Sequence, residues 1–494
     1  MTNPFAPAGT PIPTHSDDQP STHLQRGALG VVDILFFVVA AAAPLMVMAG
    51  VAPLAILFGG VGAPAAYLVT GVILLLFSSG FTAMTPYIRN AGAFYAYISR
   101  GLGRPAGVGA ALLALFSYNA MQIGTYGAFG YFASSTANNI FGLDQPWWVY
   151  SFAALAFVWL LGYRSINMGA KVLAALLVAE TAILLVLAVA VLIDGGASGL
   201  TLDSFAPSNV FRSEMSIPLL MAVAAFIGYE ATAIYREEAR DPDRTVPKAT
   251  YAAVAFLTLF YTFITWILVQ AFGSDKVVAA AAANPVELPF TAMTEYVGSW
   301  ATDVQRVLVV TSLLAALLAF HNAITRYAYA LSAEQVLPPA LGRVHLSHGS
   351  PYVAGILQTV LAGGFVAAFA LAGADPYTEF FIWVNTPGIV GILVLQVLAS
   401  FAVVFFFRRN APQRGEGPLR TTVAPAVAGL LLAGTTVLVC KRLGLLTSAG
   451  PSVNWTLITL TPVVFVTGVL LALRLRRRQP AVYDRLATTE IDAA

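Results

Sequence analysis

The chain alternates long apolar runs with short polar ones. Twelve runs read as helices, at roughly 28–57, 61–85, 105–135, 146–163, 169–193, 214–236, 247–272, 302–331, 351–373, 377–407, 420–440 and 453–474. A helix rises about 1.5 Å per residue and the hydrocarbon core of a bilayer is about 30 Å thick. A run of about 20 apolar residues is therefore long enough to cross. The first run has length enough for two half-helices around Pro44–Gly50.

Two runs are interrupted near their middle. The first reads Ala40-Ala41-Ala42-Ala43-Pro44-Leu45 and continues to Gly50; the sixth reads Ala225-Phe226-Ile227-Gly228-Tyr229-Glu230. Inside lipid, a broken helix leaves N–H and C=O groups unpaired at several kcal/mol each, so breaks persist where they line a cavity or hold something. One Pro or Gly alone can simply kink a helix. Breaks in both the first and the sixth span are instead the pattern of a secondary transporter, with its ligand at the bilayer midplane.

Composition sharpens this picture. Of 494 residues, 58 % belong to the AVILMFWYC set and 10 % are charged, where soluble domains carry roughly 25 % charged residues. The chain reads as an all-α, multi-pass membrane protein. Residues 1–24, rich in Pro, Thr and Ser with Asp17 and Asp18, lack the basic start of a cleavable signal and read as a disordered cytoplasmic tail. With the N-terminus inside, only Arg212, Lys276, Arg306, Lys441 and Arg442 of the 26 Lys and Arg residues fall outside. Both termini are thus expected in the cytoplasm and the spans in the cytoplasmic membrane. Arg474-Leu475-Arg476-Arg477-Arg478 reads as a stop-transfer anchor. The single cysteine, Cys440, excludes a disulfide within the chain. A net charge of +2 implies no nucleic-acid partner, and no G-x-x-x-x-G-K-[ST] loop occurs to use ATP.

Three segments carry a family resemblance. Pro86-Tyr87-Ile88-Arg89-Asn90-Ala91-Gly92-Ala93-Phe94-Tyr95-Ala96-Tyr97 runs on through Arg100-Gly101-Leu102-Gly103. Phe226-Ile227-Gly228-Tyr229-Glu230 is followed by Glu237-Glu238-Ala239-Arg240-Asp241-Pro242 and Val246-Pro247-Lys248-Ala249. Arg326-Tyr327-Ala328-Tyr329-Ala330-Leu331-Ser332 precedes Leu337-Pro338. In this order and spacing they resemble the amino acid–polyamine–organocation transporters. Ala91 and Ala93 flank Gly92 where that family usually has a Gly pair, and Glu334-Gln335 replaces an acid–Gly pair. The resemblance covers about 28 to 400. It implies a LeuT-type 5+5 inverted repeat (spans 1–5 and 6–10), with helices 1 and 6 broken and an amphipathic helix against the inner mouth. The organisation expected is a tail at 1–24, a ten-helix core at 25–407, two further helices at 408–474 and a cytoplasmic tail at 475–494.

Candidate site residues follow from the breaks. A zwitterion needs free N–H groups for its carboxylate and free carbonyls for its ammonium. Ala43, Pro44, Leu45, Met46, Val47 and Met48 on the first span, and Ala225, Phe226, Ile227, Gly228 and Tyr229 on the sixth, are candidates. Phe226 is expected to gate the path. Asn119, Gln122, Ala224, Phe226 and Phe320 are candidates for side-chain selectivity, the small Ala224 leaving room for a medium-sized group.

Acids within spans cost about 2.5–3.5 kcal/mol on insertion scales, so Glu180 and Glu230 carry weight. Glu230 matches a frequent family acid and could bridge spans or read a cation; a packing hydrogen bond is the plainer alternative. Glu180 falls where many members carry a lysine. An acid there can move a proton in and out of water, though a helix-interface hydrogen bond would also account for it. Small hydroxyl residues on the eighth span ligate the ion in sodium-dependent relatives. Here Ala315-Ala316-Leu317-Leu318-Ala319-Phe320 is apolar, and Thr311 and Ser312 are expected to lie too far outward. Hard cations want oxygen, so the proton is the expected coupling ion, with His321 a possible partner of Glu180. His345 and His348 have no further ligand type near them in sequence and read as a solvated loop. No metal, cofactor or catalytic residue is expected. The reading is a permease for an amino acid or related amine. A polyamine or organic-cation exchanger is the alternative within transport, and a membrane-embedded enzyme the alternative outside it.

Overall fold

The computed structural model describes residues 29–88, 94–164, 170–230, 232, 239–345, 347–410 and 415–486. The predicted tail at 1–24, the Ala91-Gly92-Ala93 part of the first motif, the Glu237-Glu238 part of the second and the end of the C-terminal tail lie outside these residues.

Helix α1 (Val31–Ala41) opens where the Asp33 carboxylate accepts the Gly30 N–H at 2.8 Å. It stops at Ala42–Ala43, where Ala43 takes φ 47°, a left-handed conformation that costs an L-residue about 1–2 kcal/mol. Pro44 then starts a new helix from its first position, where its missing N–H costs nothing. The chain continues through Pro44–Met46, a π turn at Val47–Val51 and α2 (Ala52–Gly59). The expected unwinding around Pro44–Gly50 is therefore corrected. The break precedes Pro44, and Pro44 to Met48 are helical.

Next come α3 (Ala63–Met84), the amphipathic α4 (Phe94–Leu102), α5 (Arg104–Phe141), α6 (Trp147–Tyr163) and α7 (Ala170–Asp194). Helix α8 (Ser216–Phe226) ends at a turn over Ile227–Gly228, with Gly228 at φ 113°. Only glycine reaches such a φ freely. The second break thus falls where the sequence placed it. Helix α9 (Pro242–Phe272) follows. The connection between the seventh and eighth predicted spans holds two short helices, α10 (Val277–Ala283) and α11 (Leu288–Tyr296). The chain closes with α12 (Ser299–Ala333), α13 (Tyr352–Leu371), a π turn at Pro376–Phe381 leading into α14 (Ile382–Arg409), α15 (Ala424–Thr447), α16 (Pro451–Arg478) and α17 (Pro480–Arg485).

Nine helical stretches among the described residues are long and apolar enough to cross a membrane. The first, Val31–Tyr87, holds both the first and the second predicted span. Two shorter apolar helices, Trp147–Tyr163 and Ser213–Phe226, coincide with the fourth and sixth. Helix α5 runs through the middle, packed on α4, α12, α14 and α16. Helix α1 packs on α7, α9 and α12. The residues before α1 and after the second break meet as well, the Arg240 N–H donating to the Leu29 carbonyl at 3.0 Å. Helix α4 is tied to the end of α12 by a buried hydrogen bond from the Tyr95 hydroxyl to the Glu334 carboxylate.

Candidate functional site

The two breaks open on one cavity. Its wall takes Ala42, Ala43, Met46 and Val47 from the first break, and Ala224 and Ile227 from the second. Met121 and Thr125 of α5, Leu313, Ala316 and Phe320 of α12, and Asn385 and Thr386 of α14 complete most of it. The space between these residues, counted together with its open mouth, is ≈ 720 Å³.

Main-chain groups are free here for a physical reason. A helix start leaves its first N–H groups without carbonyl acceptors. In the helix restarting at Pro44, no main-chain bond among the described residues reaches the Met46 N–H across the break; the Val47 N–H reaches back to the Ala43 carbonyl at 3.0 Å. The Ala42 carbonyl takes the Tyr261 hydroxyl at 3.4 Å. At the second break the freed Gly228 N–H is already used. It donates to the Glu230 carboxylate at 3.0 Å, and the Tyr118 hydroxyl donates to the same carboxylate, also at 3.0 Å. Glu230 is therefore a buried brace across the turn, holding α8's end to α5. Tyr118, which sequence reasoning missed, is its partner. Removing that hydroxyl in Tyr118→Phe is expected to cost about 1–3 kcal/mol, the price of leaving a buried acceptor less satisfied. Thermal unfolding of the purified variant measures it, and an unchanged midpoint would contradict the bracing role.

Glu180 is buried on α7, between the first break and α12. The Ser312 hydroxyl donates to its carboxylate at 2.9 Å, and the Leu45 N–H faces it as well. Two expectations change here. Ser312 is not too far outward; it sits at the level of the first break. Nor does Glu180 meet His321, which lies nine residues further along α12, about 13 Å at helical rise. His321 is buried against α6 and α13 instead, where a Cβ on Gly162 would come within 2.5 Å of its ring and one on Gly355 within 3.4 Å.

The other candidates divide by helix face. Ala43, Met46, Val47, Ile227 and Phe320 line the cavity, whereas Pro44, Leu45, Met48, Ala225, Gly228 and Tyr229 do not. Phe226, expected as the gate, is buried against Tyr261 edge-to-face with centroids 5.7 Å apart. It points to α9 and not over the cavity. Phe320 and Phe381 are the aromatics on the wall, and the Phe320 ring packs beside Tyr118 with centroids 6.4 Å apart. Gln122 donates to the Leu317 carbonyl at 3.0 Å and Asn119 to the Leu115 carbonyl at 2.8 Å. Both lie off the cavity, the face one step round α5 carrying Met121 and Thr125. The α14 wall was also missed. Its signal was legible, since Asn385-Thr386-Pro387-Gly388 interrupts an apolar run at mid-span.

Comparison with known proteins gives the geometry its context. The family described as amino acid permease matches residues 29–470. An amino-acid permease, RocC, of Bacillus subtilis is 24 % identical over 396 residues, 75 % of this chain and 78 % of RocC. The gamma-aminobutyric acid permease of the same organism is 27 % identical over 202 residues, 40 % of this chain and 39 % of that protein. An uncharacterized transporter of Mycobacterium tuberculosis is 24 % identical over 241 residues; the match spans 49 % of this chain and about half, 51 %, of the relative's length. With the match across 29–470, this chain belongs to the amino acid permease family.

Proposed function

We propose that the chain is a secondary active amino acid permease that works by alternating access and is driven by protons. The observation that carries the proposal is the cavity shared by the breaks at Ala42–Ala43 and Ile227–Gly228. In the proposed cycle the substrate carboxylate docks at the helix start around Met46, where N–H groups and the partial positive charge of the helix converge. The ammonium faces carbonyls freed at the breaks. Twelve crossings in a LeuT-type 5+5 inverted repeat would place both breaks at matching positions, the first helix of each half. A cytoplasmic N-terminus is supported by the basic residues. Arg212 and Arg442, both assigned outside, gather around Glu214.

Glu180 is the coupling acid in this proposal. It touches the helix restarting after the first break and Ser312 of α12, so its proton and the arrangement of those helices are linked. An exchanger of polyamines is disfavoured because, among the described residues, no acid lines the cavity. The test is uptake by proteoliposomes of the purified protein under an inward proton gradient without sodium. Accumulation of an amino acid, abolished by a protonophore, is the expected result. An absolute need for sodium would overturn the coupling ion, and absence of any amino acid uptake would overturn the function.

A further inference from the structure

The chemistry of the cavity wall narrows the substrate. Among the described residues, no ionisable side chain lines it. The two nearby acids are engaged elsewhere, Glu230 by Gly228 and Tyr118, Glu180 by Ser312. A cationic side chain would lose its water without gaining a counter-charge, and an anionic one would meet no Lys or Arg; burying an unpaired charge is prohibitive.

Among the described residues the polar side chains on the wall are three, and each already donates to a main-chain carbonyl. Thr125 donates to Met121 at 2.7 Å, Thr386 to Ile382 at 2.7 Å and Asn385 to Met121 at 3.4 Å. A site built to recognise a hydroxyl or amide side chain would hold donors ready for it. The rest of the wall is apolar. Met46, Met121 and Met221 bring three thioethers from three different helices, and Leu313, Ile389 and Leu446 add aliphatic surface. Methionine is unbranched and polarizable, so such a wall closes around aliphatic groups of varied shape. Room is made by small residues, Ala42 and Ala43 at the first break, Ala224 on α8 and Ala316 on α12.

From this wall we infer that the site selects neutral α-amino acids with aliphatic or thioether side chains of leucine, isoleucine, valine or methionine size. The inference rests on the amino acid transport reading given above, which supplies the zwitterionic end of the ligand. The wall supplies the discrimination. Each buried methylene is worth roughly a fourfold gain in affinity, so leucine, with three more carbons than alanine, is expected to be handled up to about 60-fold better.

Proteoliposomes of the full-length protein are the test, with labelled L-leucine, L-methionine, L-alanine, L-serine, L-lysine, L-glutamate and putrescine measured separately. Leucine and methionine should show kcat/KM at least about tenfold above alanine and serine, the effect of two or more buried methylenes. Lysine, glutamate and putrescine should not exceed protein-free vesicles. Ala224→Leu fills the space next to the substrate and should reduce leucine transport more than alanine transport. A preference for lysine, glutamate or serine would overturn this inference and leave amino acid transport standing. Uptake of putrescine alone, or of none of the seven, would overturn the transport reading and the inference with it. The wild-type panel decides the matter even where Ala224→Leu fails to fold.

Discussion

Proteoliposomes carrying Glu180→Gln are expected to lose pH-gradient-driven accumulation, the internal-to-external substrate ratio falling to near one, while exchange of substrate across the membrane continues. Glu180 is 4 % exposed, and its carboxylate takes the Ser312 hydroxyl at 2.9 Å and faces the Leu45 N–H. Glutamine keeps the shape and a carbonyl acceptor for both donors, so the helices can still pack and move. What it lacks is an exchangeable proton. Opening of the inner side would bring water to this junction, and a carboxyl that gains water more readily gives up its proton. The charged and neutral acids then favour different arrangements of the restarted helix and α12, which is the differential interaction any coupling needs. Ser312→Ala is the companion variant. It should shift the pH dependence of uptake without abolishing it, because the Leu45 N–H remains. Accumulation by Glu180→Gln with wild-type pH dependence would remove Glu180 from the coupling role. Loss of exchange together with accumulation would show damage to the fold in place of uncoupling.

The layout of helices was largely legible because lipid imposes a length. A span needs about 20 apolar residues whatever its neighbours, and the predicted runs fall on helices α1–α3, α5–α9 and α12–α16, while α4, α10 and α11 lie outside them. The breaks were legible too, since Gly228 and Pro44 are hard to place inside an apolar helix otherwise. Their exact position was not. Proline reads as a breaker, yet Pro44 is the first residue of the new helix. The left-handed residue is Ala43, which no rule on residue type would single out. Facing was harder still. Asn119 and Gln122 were chosen for polarity, but in an apolar interior an amide finds a carbonyl on its own or a neighbouring helix, as both do here. The cavity face of α5 instead carries Met121 and Thr125, one turn apart. Contacts between helices distant in sequence were not legible at all. Glu180 with Ser312, Glu230 with Tyr118 and His321 against Gly162 depend on how α5, α6, α7 and α12 rotate against one another. That rotation is set by packing over whole helices and leaves no local trace.

Gly101→Ala is expected to destabilise the protein by about 3 kcal/mol or more, at the upper end of overpacking costs, and, on the proposal that α4 lies against the inner mouth, to weaken closure at that end. Gly101 lies on α4, pressed against α14. A Cβ there would sit 2.1 Å from the Ala402 carbonyl oxygen and 2.5 Å from the Ala402 Cα. The obstacle is main chain, so no rotamer change relieves it and the two helices must separate. Arg409 donates to the Gly101 carbonyl at 3.2 Å, and that bond would stretch with them. Helix α4 also carries Tyr95, whose hydroxyl holds Glu334 at the end of α12. Shifting α4 therefore loosens a tie between helices on either side of α5. The control is Gly434→Ala on α15, where an added Cβ meets nothing within 4 Å and alanine is the better helix former by roughly 1 kcal/mol. Thermal unfolding of both variants in detergent, together with the retention of preloaded substrate by proteoliposomes, checks the pair. Gly101→Ala should unfold at lower temperature and leak, and Gly434→Ala should match or exceed the wild type. Equal behaviour of the two would mean that the close approach of α4 to α14 contributes nothing to holding that end shut.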